Sequence, residues 1–414
     1  MATIKVNGKA VEYVYSEPTR TVKLASGIEF DVTGSIAQAA VQKAFDALPK
    51  APTGPINVPS PNKPREISYA DYAKLEGVEG VDFVVTGVET NQTANHRDIK
   101  NCSFDLSKVK VKDSYQALLI HGKSINARYK GLTLQNISGY QIQTVQADKV
   151  VYKPGVEGTF IDRLNIDGFS FDGGGRPFHS DGNVRSLNTH DGVIKSFQFI
   201  NNTIKNNLGS KFMVYLGNGF DFDIYGNSFT NINKQNNEDN GMFYLKATGK
   251  LHDNKASNYQ GYLARIWPHS IDGRKVVEIY NNIGVDGDKY GLIELQFSPD
   301  FIERQAQPAD AKVYNNTALN LNKTTDWAGE LLTLYNTLGK VEYYNNLGAT
   351  LVGQEGGKPT RDYKVISGNK MVFGQYDDKK TTLIISGQNL YFDKISDAVN
   401  ADLTSKFKGV GASL

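Results

Sequence analysis

The chain has 414 residues, with 46 basic and 44 acidic side chains for a formal charge of +2, 39% hydrophobic residues and one cysteine, Cys102. A lone cysteine excludes a disulfide framework and a cysteine-based zinc site, and the near-neutral balance argues against a dedicated nucleic-acid binder. No window approaches 18 consecutive apolar residues, so no membrane span is expected, while the apolar content suffices for a sizeable core.

Residues 1–50 read as a separate element. Asn7-Gly8 and Ser26-Gly27 each sit between short β-rich runs, the arrangement of hairpins. Ser35 can cap an amphipathic helix whose apolar face comprises Ile36, Ala37, Ala40, Val41, Ala44, Phe45 and Leu48, ending at Pro49. Six of the 13 prolines fall between Pro49 and Pro64, which makes residues 51–80 a stiff crossing segment. The opening MATIKVNGKAVEY lacks the apolar stretch of a secretory signal.

From residue 81 to 414 the sequence repeats. A short β run ending in asparagine recurs at Asn202, Asn227, Asn254, Asn282, Asn316, Asn346, Asn369 and Asn389, with looser copies at Asn101 and Asn136. Steps of 20–34 residues, rich in β formers and Gly/Asn turns and without helical periodicity, predict an all-β right-handed parallel β-helix. Asparagine suits both needs of such a coil. It tolerates a left-handed bend, and its amide can bond to its equivalents on rungs about 4.8 Å away. The amphipathic segment of residues 35–48 would plug the open amino-terminal end.

A second strip lies between the asparagines, in KFMVYLG, GMFYLKATG, GYLARIWP, GLIELQFS and GELLTLYN. Alternation along a strand predicts that Phe212, Val214, Leu216, Phe243, Leu245, Tyr262, Ala264, Ile266, Ile293, Leu295, Phe297, Leu332 and Leu334 face the core. The complementary set faces outward: Lys211, Met213, Tyr215, Tyr244, Lys246, Arg265, Trp267, Glu294, Gln296, Thr333 and Tyr335. Stacked rungs make this a surface stripe of cations, aromatic rings and a carboxylate. It suits a polysaccharide, with rings to stack on sugar faces and Lys211, Lys246 and Arg265 to meet uronate carboxylates.

Lys246 and Arg265 stand on consecutive rungs within YLKATGKLHDNKASNYQGYLARIWPHS. This segment resembles the polysaccharide lyase family of alginate lyases and chondroitinase B. There a strand-borne lysine is followed about eight residues later by an asparagine, here Asn254, and then by a Gly-hydrophobic-x-hydrophobic-Arg-His-Gly segment. Gly261, Leu263 and Arg265 match it, with the histidine displaced to His269. The resemblance implies β-elimination of an acidic polysaccharide, with Lys246 as base and Arg265 as acid or carboxylate clamp. Lys211, Tyr215, Tyr244, Trp267, His269, Glu294, Gln296 and Tyr335 would then bind the substrate.

The chemistry accommodates that pair. Removing a proton α to a carboxylate requires the carboxylate to be neutralised while a base acts. A guanidinium about 5 Å from the lysine would contribute about 3 kcal/mol of repulsion at an effective dielectric near 20, favouring the free amine. Related lyases often hold calcium through acidic residues just before the lysine. Met242 and Tyr244 stand there instead, so no cofactor is expected. Asp286-Gly-Asp288 and the Asn236–Asp239 run read as solvated turns rather than calcium loops. His179-Ser-Asp181 and His190-Asp191 likewise read as turns rather than a metal or acid/base site.

Three other functions fit the scaffold. A glycoside hydrolase of the tailspike type would need two carboxylates in the groove, Glu294 with Asp300 or Asp239. A uronan epimerase begins with the same proton abstraction, and a binding solenoid needs no chemistry at all. An extracellular or periplasmic location fits a polymer substrate, with a virion surface as the alternative.

Overall fold

The computed structural model describes residues 64–121, 126–145, 156, 160–180, 193–209, 212–234, 241–270, 276–288, 290–296, 307–321, 331–335, 339–348, 351–355, 358–360, 370–376 and 379–386, together with strands at 2–6, 9–16, 21–24 and 29–31. The amphipathic segment at 35–48 and the asparagines at 369 and 389 lie outside these residues.

The chain divides into two units, residues 1–55 and 56–414. In the first, strands Ala2–Val6, Lys9–Ser16, Thr21–Leu24 and Glu29–Asp31 form a four-stranded antiparallel meander, as the hairpin signals predict. The second is a right-handed parallel β-helix in which successive strands feed three sheets in turn. The first sheet has 13 strands, the second 10 and the third 11. Two successive coils show the pattern. Gly219–Tyr225, Ser228–Ile232 and Gly241–Leu245 are followed by Thr248–His252, Lys255–Tyr259 and Tyr262–Ile266, each paired in parallel with its equivalent. The first sheet already includes Arg65–Ile67, just after the last of the six prolines and within the expected crossing segment of residues 51–80. At the other end the parallel order gives way to antiparallel pairs, Leu351–Glu355 with Lys358–Thr360 and Lys370–Tyr376 with Lys379–Ser386.

The core is a column of aliphatic and phenyl side chains stacked by the parallel register. Phe178, Val214, Phe243, Ala264, Ile293 and Leu332 form one fully buried row of the third sheet. Strict alternation fails at the corner where the coil enters these strands. Met213 is fully buried beside Val214, and two consecutive inward residues mark the bend. Phe212 consequently lies on the outer side, packed on Tyr244 and Tyr215.

The turn between the first and second sheets uses two residues for the two tasks expected of one asparagine. Asn201, Gly226, Asp253, Asn281, Asn315 and Asn345 hold φ between 53° and 69°. A Cβ on Gly226 would stand 2.5 Å from Asn201 Oδ1, so a larger residue on that rung would have to displace the Asn201 side chain. The following residues, Asn202, Asn227, Asn254, Asn282, Asn316 and Asn346, turn inward and are buried. Each donates from Nδ2 to Oδ1 of the next at 2.8–3.1 Å, and that oxygen also accepts the backbone N–H. A buried amide that satisfies its neighbours is costly to remove. Asn282→Ala is therefore expected to lower stability by about 3 kcal/mol, read from denaturant unfolding.

The outer face of the first sheet carries two further ladders. Register aligns Asp223, Lys250, Glu278, Lys312 and Glu342, a row of alternating charge. Beside it Tyr225, His252, Tyr280, Tyr314 and Tyr344 stack with centroids 4.7–5.0 Å apart and planes within 11°. His252 bonds Asp253 through Nδ1 at 2.6 Å and Asp223 through Nε2 at 3.1 Å. Burial alone would lower its pKa, but the two carboxylates outweigh burial and raise it. A raised folded pKa stabilises fully below the unfolded value near 6.5 and is lost as pH rises through the folded one. Stability should thus fall across that alkaline interval in the native protein and fall less in His252→Gln, as thermal melts against pH will measure.

Candidate functional site

The third sheet turns one continuous row outward: Asn95, Leu119, Gln143, His179, Tyr215, Tyr244, Arg265, Glu294 and Thr333. The sequence-predicted outward residues Tyr215, Tyr244, Arg265 and Glu294 are therefore neighbours on four successive rungs. Lys246 and Trp267 follow the paired residues Leu245 and Ile266, which sets them level on the same face. Lys246 and Arg265 are diagonal neighbours on one wall.

Aromatic rings fill the row. Tyr140 stacks on His179 at 4.1 Å, His179 on Tyr215 at 5.0 Å and Tyr215 on Tyr244 at 5.3 Å, with planes within 23°. Trp267 ends the series, tilted 56° to Tyr244. Rings stacked along the coil axis spend their faces on one another. A ligand on this wall meets ring edges, hydroxyls and cations, not the open ring faces expected from the sequence.

The cations are embedded in this stack. Lys246 is 8% exposed, and its Nζ lies 4.8 Å from the Trp267 ring centre, 5.7 Å from Tyr215 and 5.8 Å from Tyr244. Such contacts hold an ammonium electrostatically while displacing its water. Arg265 donates from Nε to Glu294 Oε1 at 2.6 Å, and both side chains are largely buried. A Cβ on Gly241 would stand 3.2 Å from Arg265 Cγ, so a glycine on the preceding rung gives the arginine its path. Glu294 compensates the guanidinium, which offsets the repulsion expected to act on Lys246.

Several residues lie elsewhere than the sequence implied. Asn254, matched to the lyase asparagine, is a fully buried rung of the asparagine ladder. Its Nδ2 bonds Ile224 O, His252 O and Asn282 Oδ1, so it cannot reach a ligand. Tyr262, assigned to the core, is buried on the outer side instead, its hydroxyl 3.3 Å from Thr333 Oγ1. His269 belongs to a two-stranded antiparallel ribbon with Gln307–Pro308, apart from the parallel wall. Gln296 is half-buried, and Tyr335 is in register with it at the end of the strand Leu332–Tyr335. Lys211, Phe297, Asp239 and Asp300 lie outside the described residues, as do Asp181, His190 and Asp191.

Two residues of the wall were missed. His179, read as a turn residue, sits on the strand Phe178–Ser180 in the middle of the stack. The alternation Phe178-His179-Ser180, buried on both sides of the histidine, was the available signal. Arg176 just precedes this strand, with its guanidinium 5.0 Å from the Tyr140 ring, 5.7 Å from Phe212 and 5.4 Å from Tyr215. It donates from Nε to Phe212 O at 3.0 Å and from Nη1 to His179 Nδ1 at 2.5 Å. Arginine only donates, so His179 Nδ1 accepts and the imidazole proton sits on Nε2.

The residues before Lys246 do not fit calcium: Met242 is sealed in the core and Tyr244 is locked in the ring stack. In the Asp286-Gly-Asp288 turn, Asn320 bonds one carboxylate and Lys234 the other. No protein family, curated protein or solved structure matches the chain, so the parallel β-helix rests on strand register alone.

Breaking the Arg265–Glu294 pair from one side would leave an uncompensated, largely buried cation. Glu294→Gln should therefore cost about 3 kcal/mol in denaturant unfolding, whereas a surface pair would register less than about 1 kcal/mol.

Proposed function

We propose that the outer wall of the third sheet binds an acidic, uronate-containing polysaccharide such as alginate and that the protein is a polysaccharide lyase. The observation that carries this reading is Lys246, held among the rings of Tyr215, Tyr244 and Trp267 one rung from Arg265. Removal of water works toward the free amine that a base must be, against the attraction of the ring faces for the ammonium. The free amine of Lys246 takes the proton from the sugar carbon beside the carboxylate. The C–H electrons form the C=C bond, and the C–O bond to the neighbouring sugar breaks. Its oxygen leaves with a proton from solvent or from the wall, where the resemblance assigns that part to Arg265. The step needs no cofactor. Work on such a polymer fits an extracellular, periplasmic or virion-surface setting.

The Arg265–Glu294 pair and the closed ring stack favour a second reading, a binding solenoid without turnover. The two readings separate in one assay. Alginate, pectate and chondroitin are incubated with the protein while the ultraviolet absorbance of new C=C bonds and the appearance of reducing ends are followed. The lyase reading expects both signals, with Lys246→Ala reducing them by at least about 100-fold while retardation in polymer-containing gels persists. Reducing ends without absorbance would instead mean hydrolysis, and retardation with neither signal would mean binding alone.

A further inference from the structure

Two guanidinium groups lie on this wall, and their surroundings differ. Arg265 has its charge met by Glu294. Arg176 has none: among the described residues it forms no ion pair, and its partners are a backbone carbonyl, an imidazole nitrogen and three aromatic rings. It is nevertheless only half exposed. Taking a cation out of water without an opposite charge is unfavourable, and partial compensation by ring faces and neutral acceptors leaves it electrostatically incomplete. The partners also fix its pose. With Nε on Phe212 O and one Nη1 proton on His179, the remaining donors of the rigid fork are aimed by the protein.

We propose that Arg176, positioned by His179 and Phe212, is the anion-recognising residue of the wall, binding the carboxylate or sulfate ester of a sugar. The inference rests on the glycan reading above and deepens it. Recognition of the anionic group passes from Arg265, which Glu294 already satisfies, to Arg176. Arg176 and Lys246 stand about the same Tyr215 ring, 5.4 Å and 5.7 Å from its centre. A sugar seated at that ring would have its charge held from one side and its acidic proton approached from the other. Bidentate capture of a planar carboxylate is what a guanidinium fork does and an ammonium cannot.

The test uses monosaccharides, which contain no bond to cleave. Protein carrying isotope-labelled histidine is titrated with glucuronate, glucose 6-sulfate and glucose, and the His179 ring signals, assigned with His179→Gln, are followed by NMR. Both charged sugars, or one of them if the site selects between carboxylate and sulfate, should shift His179, and glucose should not. Arg176→Gln should weaken the response at least tenfold. Arg176→Lys, which keeps charge but not the fork, should restore part of it, and circular dichroism shows that both variants fold. An unchanged response in Arg176→Gln, or no His179 shift with either charged sugar, overturns the assignment. The lyase reading fails separately, by absence of C=C absorbance on polymers, whatever His179 does.

Discussion

A buried amide that bonds its own copy on the next coil, as well as nearby backbone carbonyls, sets the register of this molecule. Each ladder asparagine from Asn227 to Asn346 presents one oxygen to two N–H donors of the coil before it. A slip of one residue on any coil would strand those donors in the core. The register they enforce is what brings Tyr215, Tyr244, Arg265 and Glu294 into one row. Side chains separated by 20–30 residues in sequence thereby become neighbours at strand spacing. The site is a product of coil stacking, and no local segment could build it.

The ladder was legible because the asparagines recur with a turn signature that the eye can align. The outward row was legible because alternation is local: Tyr215, Tyr244, Lys246, Arg265 and Glu294 follow from parity alone. Residues at corners escaped that rule. Met213 and Tyr262 each sit where the coil bends, and there parity changes with the bend. His179 escaped because its strand is three residues long, preceded by GGGRP and followed by Asp181-Gly182, which read as turns. Asn254 shows the opposite error, a motif match whose spacing is met by a residue that serves the scaffold. The stacking of rings on one another and the carboxylate beside Arg265 depend on rotamers that one-dimensional periodicity does not contain.

The wall of the third sheet consequently differs from the stripe that composition suggests. A row of aromatic residues reads as a platform, yet stacking along the coil axis makes it a palisade whose edges face out. Polar recognition then falls to the groups between the rings. Lys246 lies against Trp267, and Arg176 is gripped by Phe212 O and His179. Ring stacking therefore does two things: it rigidifies the cations and strips water from them. Both raise the worth of an electrostatic contact over its value on an open surface.

The charge row on the first sheet contrasts with the charges of the third. Asp223, Lys250, Glu278, Lys312 and Glu342 alternate rung by rung, so their field cancels within a few ångströms of the surface. On the third sheet Arg176, Lys246 and Arg265 stand with one outward carboxylate, Glu294, among the described residues of the central rungs, and a surplus of like charge acts over a Debye length of about 8 Å at physiological salt. An anion beside the described central rungs of the third sheet would meet that surplus, and one beside the alternating row would not. A near-zero net charge for the whole chain is thus compatible with a local surplus of cations among the described residues of one sheet.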